Sequence, residues 1–252
     1  MQPLYEAKMI HHFDTRWATY EPDGSTRLMT EAEKADRTPP MPRYWVEQSE
    51  VDAKLNGKWD KQWLLGWRDI CRATDERTTI LTMLPRVPVG NKIPLMLPDS
   101  TRSAAARLQL FGSSFVADFA SRQKLGSTTM NFFILMQVPF ASPDQMVPGL
   151  GFDRGQRSWL DLRVDLLNSW VADEARRRAI RAELDAYCFH LYGCSRDEVD
   201  YIMETFPIIK RKDLADFGDF RTKEMILQSY DAMAESIATG APYASPSEEV
   251  SP

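Results

Sequence analysis

The rhythm of apolar and polar positions changes along the chain and predicts its elements. From Leu4 to Ile10 the two kinds roughly alternate, the period of a strand, and residues 13–20 are read as its partner. Glu21-Pro22-Asp23-Gly24-Ser25 is turn chemistry. Thr30-Glu31-Ala32-Glu33 is a capping box that opens a short helix, which the prolines of 38–42 end. Tyr44-Trp45-Val46 reads as extended. Ser49 with Asp52 opens another short helix that closes near Gly57. Residues 63–70 and 78–84 are apolar runs of strand length. The proline-bearing stretch 85–98 predicts a long loop, of the kind that is usually functional. Residues 103–119 are rich in Ala and Leu and predict a helix with an interruption at Gly112-Ser113-Ser114. Residues 131–139 read as a strand or short turn.

Pro143, Pro148, Gly149, Gly151 and Gly155 then break the pattern, and helical periodicity takes over. Helices are expected from Ser158 to about Val171, from Asp173 to Gly193, from the capping box Ser195-Arg196-Asp197-Glu198 to before Pro207, and from Thr222 to about Ala238. The fold class is therefore α+β: a mixed module over 1–140, a linker over 141–157, a helical spacer over 158–238 and a polar, disordered tail over 239–252.

Composition narrows the class. With 43% hydrophobic and 27% charged residues in 252, the chain can bury a real core. No apolar run approaches the ~20 residues of a membrane span, and no secretory pattern opens the chain. Cys71, Cys188 and Cys194 form no CxxC pair, which argues for core cysteines and a reducing, cytoplasmic setting. The net charge of −5 is unevenly distributed. Residues 1–140 hold 18 Lys+Arg against 16 Asp+Glu, and residues 141–252 hold 13 against 20. A phosphate-facing surface is therefore expected on the first module.

Motifs for chemistry are sparse. Thr38-Pro39-Pro40-Met41 lacks both the leading Asn, Asp or Ser and the aromatic of an amino-methyltransferase motif, and no Walker loop occurs. Glu6-Ala7-Lys8 has nuclease-like spacing but no upstream acid. His11 and His12, adjacent on an expected strand, would point to opposite faces and not share a metal. His190 reads as a helix-end histidine. Trp59, Trp63 and Trp67 recur at a spacing of four and are expected in the core before any role as a base-stacking platform. Arg176-Arg177-Arg178, with Arg181 and the acids around them, reads as a solvated helix with internal pairs.

Five blocks, in order, resemble the C-terminal region of large adenine-specific DNA methyltransferases of restriction-modification systems (type IIG-like) and of the BREX and DISARM phage-defence systems. They are Leu4-Tyr5-Glu6-Ala7-Lys8-Met9-Ile10-His11-His12-Phe13-Asp14-Thr15-Arg16; Pro42-Arg43-Tyr44-Trp45-Val46; Trp67-Arg68-Asp69-Ile70 with residues 73–78 and Pro85-Arg86; residues 112–118, 122–124 and 131–139; and residues 198–210 with Arg221-Thr222-Lys223 and Tyr230-Asp231. The match departs at residues 124–130, where the family commonly carries a Gly-Gly-Thr turn with a His. The resemblance implies a target-recognition domain with no catalytic residues of its own. It binds double-stranded DNA for a methyltransferase domain or subunit, which holds S-adenosylmethionine and flips the adenine. Candidate DNA contacts are Arg68, Arg72, Arg77, Arg86, Asn91, Lys92, Arg102, Arg107, Arg122 and Lys124. Asn91 suits adenine and Arg86 suits guanine or a phosphate. Glu6, Lys8, Asp14 and Arg16 are expected to form cross-strand ion pairs and a hinge to the catalytic domain. The alternatives are a metal-dependent nuclease using Glu6, Asp14 and His11 or His12, and an assembly subunit that binds protein only.

Overall fold

The structure, a computed structural model, describes residues 1–141, 158–169 and 173–246. Its centre is β5 (Trp63–Trp67), a run of five buried residues with no polar alternation. Such a run demands cover on both faces. β5 is the middle strand of an antiparallel sheet, flanked by β6 (Leu81–Pro85) and β7 (Leu95–Met96). Two further antiparallel pairs lie earlier in the chain: β1 (Gln2–Pro3) with β4 (Trp45–Val46), and β2 (Ala18–Tyr20) with β3 (Thr26–Leu28). The fold is α+β, with small antiparallel sheets and a larger helical part.

The strand expected over residues 4–10 is not one. Ala7–Met9 form a 3₁₀ turn, and the partner segment pairs forward with β3 instead. The turn at 21–25, with Gly24 at φ +82°, closes β2 onto β3, so local turn chemistry outweighs the alternation. α1 (Glu31–Ala35) has the capping box expected from Thr30 and Glu33. α2 (Gln48–Leu55) comes next and ends before Gly57, at φ +67°.

α3 (Arg102–Ser113) lies on β6 so closely that a Cβ on Gly112 would sit 2.5 Å from Leu81 Cδ2. Only glycine allows that approach. The expected interruption falls at Ser114, which is extended between α3 and α4 (Phe115–Lys124) and accepts a hydrogen bond from Ala117 N. α5 (Phe132–Leu135) replaces the expected strand or turn, because Asn131 caps it through Ile134 N.

α6 (Trp159–Ser169), α7 (Glu174–Leu191) and α8 (Arg196–Glu204) match the helical pattern. α9 (Pro207–Phe217) is an addition to it. The sequence pattern marks Pro207 only as the end of α8, yet it is the first residue of the next helix, where its missing N–H costs nothing. α10 (Arg221–Thr239) is not capped by Thr222. The carboxylate of Asp213, on α9, accepts from Thr222 N at 2.6 Å. Nearly all of the expected linker lies outside the described residues. Of the tail expected to be disordered, Tyr243 donates to Glu183, and Ser245 is buried against Glu183 and Arg163.

Burial decides how the halves relate. Phe13, Leu110, Phe111, Phe115 and Val116 share one apolar cluster with Leu160, Tyr187, Phe189, Phe206 and Met233. The helices after residue 158 thus complete the core around α3 and α4. A second cluster joins β5 and β6 to Met9, Ile10, Trp59 and Trp63. Trp67 anchors a third. The three tryptophans are core residues, as expected. Burial raises the thiols of Cys71 (to about 12), Cys188 and Cys194 away from reactivity.

Candidate functional site

Asp118 sits one turn into α4, placed there by the Ser114 cap, and is completely buried. Its Oδ2 accepts from Arg77 Nε at 2.9 Å, Thr78 N at 2.9 Å and Thr79 N at 3.3 Å; its Oδ1 accepts from Arg122 Nε at 2.9 Å. A buried carboxylate needs this degree of satisfaction to be tolerated. Arg77 also donates to Ser113 O and lies over the Phe115 ring. Arg122 donates to Asp75 O, Glu76 O and Thr205 O and lies over the Phe206 ring at 4.1 Å. Around one carboxylate, the 72–79 loop, α4 and the α8–α9 junction are joined.

Beside this node is a cleft of about 320 Å3 between the His11–Asp14 hairpin, α1, α7 and α9. The hairpin is tight: His11 N donates to Asp14 O at 2.7 Å, and Asp14 N returns to His11 O at 3.0 Å. Phe13 holds φ +55° at the position where such a turn favours glycine, a conformation that costs about 1–2 kcal/mol. Its ring is buried in the main core, and its carbonyl accepts from Arg177 at 3.3 Å. Asp14 pairs with Lys34 of α1 at 3.0 Å, both buried. Six Lys or Arg residues and seven Asp or Glu residues line the cleft, so it offers no excess positive charge for a phosphate.

Two groups in the cleft have opposed pH dependence. His12 Nε2–H donates to Thr79 O at 2.7 Å. Burial and the nearby Arg77 hold the ring well below the ordinary histidine value, so it is neutral. Asp185, buried on α7 and accepting from Phe115 N at 2.8 Å, is pushed up to about 6 by burial. As pH falls below about 6.5 the unfolded chain takes up a proton that folded His12 refuses, and stability is lost. As pH rises from about 4 to 6 the unfolded chain releases the Asp185 proton first, and that also lowers stability. Asp185→Asn is therefore expected to raise the unfolding free energy at pH 7.5, on the order of 2 kcal/mol, and to make the loss below pH 6 steeper. Urea titrations at pH 5, 6 and 7.5 check this, and a variant less stable than the parent at pH 7.5 would contradict it.

Most of the expected DNA contacts are engaged by partners within the chain. Arg68 donates to Ile10 O at 2.8 Å, and burial pushes it down to about 10. Arg77 and Arg122 belong to the Asp118 node. Arg86 reaches Trp59 O at 2.8 Å and Asp52 at 3.2 Å. Lys92 pairs with Asp69 at 3.2 Å, Arg107 with Asp161 at 2.6 Å, and Arg102 with Asp165 at 3.3 Å. Arg72, Asn91 and Lys124 are exposed, and among the described residues their side chains form no hydrogen bond or ion pair. The strand that would carry cross-strand pairs among the four residues expected at a hinge does not form over Ala7–Met9, and Arg16 N donates to Asp14 Oδ1 at 2.7 Å. The Tyr20 hydroxyl donates to Glu6, Lys8 lies 4.4 Å from the Tyr20 ring centre, Asp14 holds Lys34, and Arg16 donates to Lys34 O at 2.9 Å.

For the nuclease alternative, Glu6, Asp14 and His12 are engaged in these separate bonds. Among the described residues no three His, Cys, Asp or Glu side chains are grouped to hold a metal ion. Arg177, expected to be solvated, is buried and donates to Leu167 O at 2.7 Å. Asp118 lies in one of the resembling blocks but was not among the candidate site residues, although a signal exists: it is the only acidic residue between Asp99 and Asp144. Nothing in sequence marks Lys34 or Asp185.

Fold and site together define an α+β protein organised around a buried Asp118–Arg77–Arg122 cluster. No family model, curated protein or solved structure matches the chain. Among the described residues no helix is long and apolar enough to cross a membrane.

Proposed function

We propose that this chain is a DNA target-recognition module, the non-catalytic C-terminal part of an adenine-specific DNA methyltransferase of a restriction-modification or phage-defence system. One observation carries the reading. The segments that resemble that family contact one another: Arg68 holds Ile10, Asp118 holds Arg77 and Thr78, and Arg122 holds Thr205 and Phe206. These residues build the scaffold, and DNA contact falls to the outward side chains Arg72, Asn91 and Lys124. A methyltransferase domain or subunit carrying S-adenosylmethionine then acts on the adenine that the scaffold presents.

The test is fluorescence anisotropy of a labelled 30-base-pair duplex with the purified chain over a series of salt concentrations. Affinity falls steeply with salt if phosphates are contacted. The double variant Arg72→Glu/Lys124→Glu is expected to weaken binding at least tenfold at low salt, because each reversal removes one phosphate contact and adds repulsion. Its melting temperature is expected to stay within the scatter of the parent, since both side chains are exposed and neither forms a bond among the described residues. No binding by the unaltered chain at low salt would defeat the reading. Magnesium-dependent cleavage of the duplex would favour the nuclease alternative instead.

A further inference from the structure

A group of large apolar side chains faces solvent beside α5. Phe133 is 75% exposed, Met136 83%, Ile70 57% and Phe132 52%. An apolar patch of this kind on a folded chain marks a contact surface. It is rigidly mounted. Met130 N donates to Asp69 O at 2.7 Å, Cys71 N donates to Thr128 O at 3.2 Å, and Ile70 bridges to Thr129. The Trp67 indole N–H donates to Met130 O at 2.7 Å, and the Phe132 ring stands edge-on to the Trp67 ring at 4.7 Å. Phe132 is thereby pinned, while its neighbour Phe133 projects.

On the α4–α5 side of the patch the charge is one-sided. From residue 119 to 143 the chain has no Asp or Glu, although acids make up 36 of its 252 residues. Lys124 lies just ahead of the 126–130 loop. Arg72 directly follows Cys71, which is bonded to that loop, and both cations are exposed, with no side-chain partner among the described residues. The acids nearest the patch are engaged within the fold: Asp69, beside Ile70, pairs with Lys92, and Asp75 accepts from Arg72 N at 2.8 Å. Phe, Ile and Met beside exposed cations is the composition of wedges that enter a DNA groove and part stacked bases while basic groups hold the phosphates.

We propose that Phe133 and Met136, backed by Phe132 and Ile70, form a wedge that inserts into duplex DNA and kinks it, with Arg72 and Lys124 on the flanking phosphates. The proposal rests on the DNA-recognition reading and adds to it the face that meets the duplex and the deformation it imposes. The distortion would lower the cost of taking an adenine out of the stack.

The experiment uses the full chain and a 30-base-pair duplex with a fluorophore at each end. Anisotropy reads affinity, and energy transfer between the ends reads bending. The unaltered chain is expected to bind and to raise energy transfer. Phe133→Ala/Met136→Ala is expected to bind about tenfold more weakly, the loss of roughly one stacking contact, with no rise in energy transfer and an unchanged salt dependence. Phe133→Leu, which keeps an apolar wedge, is expected to retain most of the bending. All these positions are exposed, so matching melting curves are expected. Parent-like affinity and bending in the double variant would overturn the wedge and leave DNA binding standing. No binding by the unaltered chain would remove both. If the double variant changes only the oligomeric state on sedimentation, with DNA binding intact, the patch joins copies of the chain and the wedge is overturned.

Discussion

Asp118→Asn is expected to lower the unfolding free energy by about 3–5 kcal/mol, the usual consequence of removing one partner from a buried ion pair. The carboxylate accepts four hydrogen bonds, two from backbone N–H groups and two from the guanidinium groups of Arg77 and Arg122. An amide keeps the shape, but it carries no charge and turns an NH2 towards one set of donors. Two largely buried guanidinium groups then face each other without the anion between them. The node links three segments distant in sequence, so the loss is expected to appear as one cooperative shift of the whole transition. Urea denaturation with fluorescence and far-ultraviolet dichroism measures it. A loss below about 1 kcal/mol, in the range of exposed salt bridges, would show that the cluster is not the keystone of the fold. A double-mutant cycle with Arg122→Met separates the pair from the rest, and strong coupling is expected because the two side chains touch.

Trp67→Ala is expected to cost a similar amount, about 3–5 kcal/mol, through the cavity left by a large buried ring. Trp67 is one of the largest fully buried side chains, packed with Cys71, Leu81, Leu125, Met130 and Leu135, and its N–H satisfies Met130 O. Trp67→Phe keeps most of the volume and loses the hydrogen bond, so a smaller loss of about 1–2 kcal/mol is expected. Calorimetric and urea midpoints measure both. Equal stability of Trp67→Ala and the parent would contradict this packing. Because Phe132 rests on this ring, the alanine variant is also expected to impair DNA bending beyond its effect on folding, when compared at a temperature where it is fully folded.

Local chemistry makes much of the fold legible. Thr30 with Glu33 and Ser195 with Glu198 cap helices as expected, because a capping box depends only on residues three apart. The break at Ser114 is readable for the same reason. Pro207 is ambiguous because a proline stops one helix and starts another with equal ease, and the residues after it decide between the two. The cap on α10 is also beyond local reading, since its acceptor, Asp213, belongs to the preceding helix.

The candidate contacts show the sharper limit. Arg68, Arg72 and Arg77 look alike in sequence, three arginines in a stretch that also holds Asp69, Asp75 and Glu76. Folding sends the first to a carbonyl of the N-terminal segment, the third to a buried carboxylate 41 residues away, and leaves the second in water. A guanidinium on a long stem can reach either environment, and its position in the chain does not state which partner arrives.

The amino-acid sequence by itself determined where the box-capped helices α1 and α8 and the turn at 21–25 begin, that strand β5 must be covered on both sides, and that Cys71, Cys188 and the three tryptophans Trp59, Trp63 and Trp67 are core. These come from neighbours along the chain and from the free energy of burying apolar surface. The tertiary structure alone decided that Asp118 is the meeting point of two arginines, that the C-terminal helices share a core with α3 and α4, and which cations and aromatic rings remain outside. Those outcomes depend on long-range packing, where a charge is either matched by a distant partner or left to solvent.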